Sequence, residues 1–319
     1  MRFIKIVLSF SSLIPCLILP TDDRENSEGT PTQLPETKKC YLLRLPPKKV
    51  DYLPKKVDCV PEIVANPQNK KIAQKATESV RDFYGLEGSV AMNGTVEMLL
   101  ERGSQAGIDK FVVLPVSNVP GRVRHINEFL LEQHKTHDCF IGFGTVHAEM
   151  EGIEEEAQWI LENGLRGIKM HPDSQAFDID DPRLFPMYEA ISGKIPVMPH
   201  MGDPRYDFSH PRKLRRVMEL FPNLQVIATH FGGYSMYEEA YDLLHDKDCV
   251  FDVSSSLMFM PEGVAEKYIN AYGAERMAFG TDFPLWDPVV ETERFMRLNL
   301  TADQFDQIGH KTAQRVLGL

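Results

Sequence analysis

The chain has 319 residues, 43% hydrophobic and 25% charged, the balance of a soluble globular protein that can bury a large core. Its 46 acidic residues against 35 basic ones give a net charge of −11, which argues against nucleic acid or an anionic membrane surface as the main partner. The five cysteines (Cys16, Cys40, Cys59, Cys139 and Cys249) include no C-x-x-C pair, so a zinc knuckle, a thioredoxin-like site and a disulfide framework all lack support.

The first element is an apolar run, Ile6 to Leu19, preceded by Arg2 and Lys5. This is the n-region and h-region order of a secretory signal. The Leu17-Ile18-Leu19-Pro20 that ends it is a poor cleavage site, and the run is short for a membrane span. Residues 1–20 are read as a signal or anchor segment. If they act as one, the chain is exported or membrane-anchored; otherwise it is cytoplasmic. Residues 21–56 read as a disordered, low-complexity extension, with Thr, Asp, Glu, Pro and Ser dominating 21–39. Pro47-Lys48-Lys49-Val50-Asp51 is echoed by Pro54-Lys55-Lys56-Val57-Asp58, too few copies for a solenoid.

From about residue 70 the pattern becomes regular. Strand-length apolar runs recur at Phe111–Val116, Phe140–Val146, Gly167–His171, Pro196–Met201, Gln225–His230, Val250–Ser255 and Met277–Asp282. Continuous apolar strands are buried on both faces, as in a parallel sheet, and the amphipathic stretches between them are crossover helices. Thr95 precedes a helix over Val96–Ala106, Pro182 opens Arg183–Ile191, and Thr301 precedes Ala302–Leu317. Cys139 and Cys249 each open an apolar run and read as buried free thiols. Seven strands at a steady spacing predict an α/β fold, a (β/α)8 TIM barrel over residues 57–319 with a non-barrel N-terminal extension. The eighth strand is expected near Val57–Val64. The competing architecture, an open doubly wound sheet, lacks a G-x-G-x-x-G after its first clear strand.

Four of these runs end on an ionisable residue: His171, His200, His230 and Asp282. A barrel builds its reaction centre at these C-terminal strand ends. A lone strand-end histidine is more often structural, but three histidines and an aspartate at one level suit a divalent metal. Zinc is the first expectation, with manganese or magnesium as alternatives. Such a metal would act as a Lewis acid or activate water.

These strings also carry a resemblance. Gly167-Ile168-Lys169-Met170-His171-Pro172, Pro199-His200-Met201-Gly202-Asp203, Thr229-His230-Phe231-Gly232-Gly233 and Phe279-Gly280-Thr281-Asp282-Phe283-Pro284 occur in the order seen in the amidohydrolase-related family. The stretch from about Val90 to Leu319 resembles that family, in the branch that holds decarboxylases of the aminocarboxymuconate-semialdehyde type as well as hydrolases. The resemblance implies His200, His230 and Asp282 as metal ligands, with His230 and Asp282 also catalytic. Lys169, His171 and Arg205 are the candidate substrate-binding residues, Arg205 by pairing with a carboxylate. His210 reads as a helix cap.

One feature departs from the family pattern. Members open with Asp-x-His-x-His on the first strand, and no two of the ten histidines here are two apart. Asp58-Cys59-Val60-Pro61-Glu62 puts Val60 and Glu62 in the histidine places; a placement on Ile6–Pro15 puts Phe10 and Ser12 there. Glu62 or His171 could substitute as a ligand. The leading expectation is a metal-dependent hydrolase acting on a small carboxylated or amide-like molecule. The alternatives are a metal-dependent decarboxylase, and a binding protein or pseudoenzyme that has lost the metal. A small-molecule substrate is the expected partner, with no nucleic acid, and assembly into a homo-oligomer is left open.

Overall fold

The computed structural model describes Ile6–Leu13 as backbone, residues 83–84, and residues 92–319. The strands run parallel: β1 (Ile6–Leu13), β2 (Lys110–Ser117), β3 (Phe140–Gly142), β4 (Gly144–Thr145), β5 (Ile168–Met170), β6 (Val197–Pro199), β7 (Ile227–Ala228), β8 (Val250–Asp252) and β9 (Met277–Ala278). β3 and β4 form one strand position. Phe143 N–H reaches back to Val113 O at 3.0 Å, and Gly144 N–H reaches forward to Gly167 O at 2.9 Å. A parallel bridge between Val197 and Val226 joins β6 to the β7 segment. The pairing is thus continuous from β1 to β9. No β9–β1 pairing occurs among the described residues.

All seven expected strand runs contain a strand. β2 explains why they read as apolar throughout. Its Phe111 and Val113 pack with the helix residues Leu99 and Ile126, while Val112 and Leu114 pack with Phe143, Met198, Ile227 and Val250 in a second core. Both faces are buried, so the strand shows no alternation. The helices also start where expected. Thr95 Oγ1 accepts from Met98 N–H to cap Val96–Gln105, and Thr301 makes a capping box with Gln304. The helix expected over 302–317 is interrupted by a π-turn at Gln307–Lys311. Helix Val96–Gln105 packs against helix Pro288–Met296, where Arg102 pairs with Asp287. The first and last crossover helices are therefore neighbours.

The strand beside β2 is the N-terminal one. It is Ile6–Leu13, in register from Ile6 opposite Lys110 to Leu13 opposite Ser117. The sequence had suggested that this stretch is a leader outside the barrel. An apolar run of this length suits a signal's core and a β-strand alike, so composition alone does not separate them. The segment Val57–Val64, with Asp58, Val60 and Glu62, lies outside the described residues, as does the extension 21–56. No described helix is long and apolar enough to cross a membrane. Cys249 is buried, whereas Cys139 is only half-buried.

Candidate metal and acid–base site

Successive strand ends deliver the polar groups to one mouth. β5 presents Lys169 and then His171, both buried, and β6 is followed by buried His200. The two imidazoles stack with centroids 4.0 Å apart and planes 8° apart. After His171, Pro172 starts a one-turn helix that swings Asp173 back toward the same point. Gln175 locks this turn. Its Oε1 accepts from His171 N–H at 2.7 Å, and its Nε2 donates to Ser117 O at 2.7 Å and Val146 O at 2.8 Å. One buried side chain thereby ties the ends of three neighbouring strands.

Asp173 comes from the β5 side, and the loop after β6 reaches over to hold it. Ser209 donates to it through both Oγ and N–H. That loop lies tight against the next one: a Cβ on Gly202, where φ is +69°, would meet the Gly233 backbone at 2.7 Å. Glycine is required there. Asp173 Oδ2 ends 3.9 Å from His200 Nε2.

Across the mouth the contacts are shorter. His200 Nδ1 and His230 Nε2 are 3.1 Å apart, and His230 Nδ1 lies 2.9 Å from Ser254 O. Asp252 fixes that corner by accepting from His230 N–H and from Ser254 N–H and Oγ–H. Asp282, closing the β9 segment, accepts from Ser255 Oγ, which in turn accepts from Trp286 Nε1 at 2.9 Å. His230, Ser255 and Asp282 all hold φ between +49° and +56°. Non-glycine residues seldom adopt this region, at a cost of about 1–3 kcal/mol each, and such strain gathers at functional sites.

Burial sets the charges. It drives His171 and His200 well below the usual imidazole range, helped by neighbouring cationic groups, so both are neutral donors. Burial lowers Lys169 to about 7, against the pull of Asp252 and Asp282. It raises Asp173 to about 6 and lifts Asp282 above the ordinary carboxylate range.

Of the residues expected from sequence, the structure brings His200 and His230 into contact and sets Lys169, His171 and Asp282 at the same mouth. A second possible ligand group also stands at this mouth. Among the described residues, the group whose donor atoms all lie within 4.8 Å of one another is His171, Asp173 and His200, not His200, His230 and Asp282. Asp173 had been passed over because it stands in the turn after the strand, outside the strand-end pattern. Two neutral imidazoles and one carboxylate fit a divalent ion chemically. Arg205 is engaged within the protein. Its fork grips Asp203 through Nε at 2.9 Å and Nη2 at 2.7 Å, and Nη1 reaches Phe83 O. Its guanidinium lies 5.0–5.5 Å from the rings of Phe83, Tyr84 and Tyr206, and so holds an aromatic lip against His171. His210 caps its helix by accepting from Arg212 N–H. His147 is buried near Phe177.

Comparison with known proteins bears on the family and the fold. The amidohydrolase family's sequence model matches residues 62–319. No curated protein matches significantly. An uncharacterised TIM-barrel protein from Bordetella bronchiseptica is 24% identical over 70% of this chain and 82% of its own, with a TM-score of 0.59. The 2,6-dihydroxybenzoate decarboxylase from Rhizobium is 17% identical over 70% of this chain and 88% of its own, TM-score 0.58. The 5-carboxyvanillate decarboxylase from Novosphingobium aromaticivorans, complexed with manganese and 4-hydroxy-3-methoxy-5-nitrobenzoic acid, is 16% identical over 80% of this chain and 93% of its own, TM-score 0.62. At these identities the structures speak for the fold alone, an α/β fold shared with TIM-barrel proteins. The sequence match reaches further: from residue 62 to its last residue, this chain belongs to the amidohydrolase family.

Proposed function

We propose that the chain is a metal-dependent carboxy-lyase that removes carbon dioxide from a small, planar, hydroxylated carboxylic acid, within a closed eight-position barrel. Closure is supported by the neighbouring first and last crossover helices. The observation that carries the functional reading is burial. Lys169, His171, His200, His230 and Asp282 are each 5% exposed or less, beneath the lip of Phe83, Tyr84 and Tyr206. Loss of carbon dioxide disperses a carboxylate's charge and is favoured where water is excluded, whereas hydrolysis must admit water.

The electron count suits the residues. When the bond to the carboxylate breaks, its electron pair stays on the ring carbon, and that carbon must take a proton. Asp282, which burial holds toward its protonated form, is the group placed to give it. Lys169 is cationic below about pH 7 and can neutralise the substrate carboxylate before bond cleavage. A divalent ion, when bound, would supply Lewis acidity toward a substrate oxygen. The manganese in the 5-carboxyvanillate decarboxylase and the mixed imidazole–carboxylate donors here favour manganese over the zinc first expected.

The test is a panel of hydroxybenzoates with the Mn2+-loaded chain in D2O, read by proton NMR. One deuterium should appear on the carbon that lost its carboxylate. Hydrolysis of an amide or lactone with no carbon dioxide release would return the reading to a hydrolase. A chain that neither binds metal nor turns over any acid would be the binding protein considered above.

A further inference from the structure

Asp252 closes β8 and is fully buried, yet no step of the proposed reaction uses it. One of its oxygens does all the hydrogen bonding. Oδ1 accepts from His230 N–H at 3.2 Å, from Ser254 N–H at 2.8 Å and from Ser254 Oγ–H at 2.5 Å. Oδ2 meets no donor within hydrogen-bond distance among the described residues. Its charge is answered through space by the ammonium of Lys169. Burying a carboxylate is costly when hydrogen bonds replace only part of its hydration. An asparagine oxygen could accept the same three hydrogens without burying a charge, so the carboxylate calls for a reason beyond closing the turn.

His230 supplies that reason. Ser254 gives its hydroxyl hydrogen to Asp252, so its Oγ can only accept from His230 Nδ1, 3.1 Å away. Ser254 O, a carbonyl that only accepts, stands 2.9 Å from the same nitrogen. His230 Nδ1 therefore carries the ring's hydrogen, held between two oxygens of one residue. Nε2 is left as the nitrogen turned into the mouth, 3.1 Å from His200 Nδ1. The backbone of His230 holds a φ of +56°, and the Asp252 oxygen that accepts its N–H pins it there. The carboxylate lies 4.0 Å from Nδ1, close enough to favour a hydrogen on that nitrogen. Backbone, ring rotation and tautomer thus all depend on one side chain. We infer that Asp252 is a positioning residue for the reaction: through Ser254 it holds His230 with Nε2 presented to the mouth. The inference depends on the carboxy-lyase reading only where turnover is measured.

Label the full-length chain with 15N-histidine and read the ring nitrogens by NMR, with Mg2+ as a diamagnetic stand-in for Mn2+. The signals missing in His230→Gln assign His230. In the wild type its Nδ1 should carry the hydrogen, and a hydrogen on Nε2 instead overturns the inference. Asp252→Ala, with a thermal melt to verify folding, should let the ring mix tautomers and draw its two 15N shifts toward each other. With Mn2+ and an acid that turns over, kcat should fall about 10- to 100-fold while KM stays within about threefold, a loss below that of a whole acid–base group. Wild-type shifts in folded Asp252→Ala, or a raised KM at unchanged kcat, overturn the inference. Should Asp252→Ala fail to fold, Ser254→Ala decides. It cuts the side-chain link and leaves the carbonyl, so the His230 Nδ1–H signal should move and kcat should fall. An unmoved signal overturns the assignment. Shifts that move as expected, with no carbon dioxide released from any acid, sink the lyase reading alone. Carbon dioxide release with unmoved shifts in Asp252→Ala sinks this inference alone.

Discussion

The mouth has two halves that meet at His200 and differ in how they reached neutrality. On the β7–β9 side, donors and acceptors are matched within the protein: Asp252 takes three hydrogens, His230 spends both nitrogens, and Trp286, Ser255 and Asp282 form a chain. On the β5–β6 side, Asp173 accepts from Ser209 N–H and Oγ–H and comes within 3.9 Å of His200 Nε2, while Gln175 ties the turn to Ser117 O and Val146 O. A half that is satisfied by its own hydrogen bonds is a scaffold for proton work. A half that gathers imidazoles and a carboxylate within 4.8 Å of one another offers donor types that suit a cation. The difference teaches that strand ends alone do not build the mouth; the turn after β5 and the loop after β6 bring Asp173 to it.

The sharpest way to break this comparison is to remove the residue both halves share. His200→Ala should abolish ion binding and lower kcat/KM on the order of 10³-fold, because ion and proton positioning fail together. Calorimetry and the deuterium-incorporation assay read the two losses separately. If ion affinity survives while turnover falls, the halves are not joined at His200.

How much of this was legible in the sequence follows from the same contrast. The strands β2 to β9 were readable because burial on both faces leaves unbroken apolar runs such as Phe111–Val116. The approach of His200 to His230 was readable because both close neighbouring strands. Asp173, Gln175 and Ser209 were not, because they sit in a one-turn helix and a loop where no periodicity operates. The contact of His230 with the Ser254 carbonyl could not be read at all, since the two lie 24 residues apart. Ile6–Leu13 was ambiguous, because an apolar run of that length suits a leader and a strand alike.

The next prediction asks how rigid the β5–β6 half is. In Gln175→Ala, Ser117 O, Val146 O and the His171 N–H lose their partner in a buried place. Each orphaned group costs about 1–3 kcal/mol, partly recovered if water enters the cavity, so a loss of roughly 3 kcal/mol in urea unfolding is expected. Ion affinity should drop with it, as His171 loses its anchor. A loss below about 1 kcal/mol would mean that the turn is held by something other than this side chain.

The β7–β9 half has a cost on its outer side. Glu291, on helix Pro288–Met296, is 1% exposed and paired with Arg294. Burial raises it from 4.5 to about 7. The folded chain thus keeps this proton where the unfolded chain has lost it. Its stabilising effect is complete below pH 4.5 and is lost as pH climbs to about 7. Glu291→Gln should flatten this window, with a gain of about 1–2 kcal/mol at pH 8 and little change at pH 4. Thermal melts of both proteins across the range check it, and parallel pH curves would contradict it.

The smallest expected effect tests the hydrogen-bond chain of the β7–β9 half. Trp286 Nε1 donates to Ser255 Oγ, and Ser255 donates to Asp282. Trp286→Phe keeps a ring in place and removes one donor, at about 1 kcal/mol or less of stability. Linked hydrogen bonds polarise one another, so a serine that no longer receives one donates more weakly. That donation favours the ionised carboxylate, and weakening it raises the Asp282 pKa further. The limb of the kcat profile that reports Asp282 should move to higher pH, while kcat at low pH and ion affinity stay as they were. Because Asp282 acts as an acid in the proposed reaction, the variant should keep its activity to a higher pH than the wild type. A shift toward lower pH would mean that Asp282 works in its ionised form, and the proton would then have to come from elsewhere.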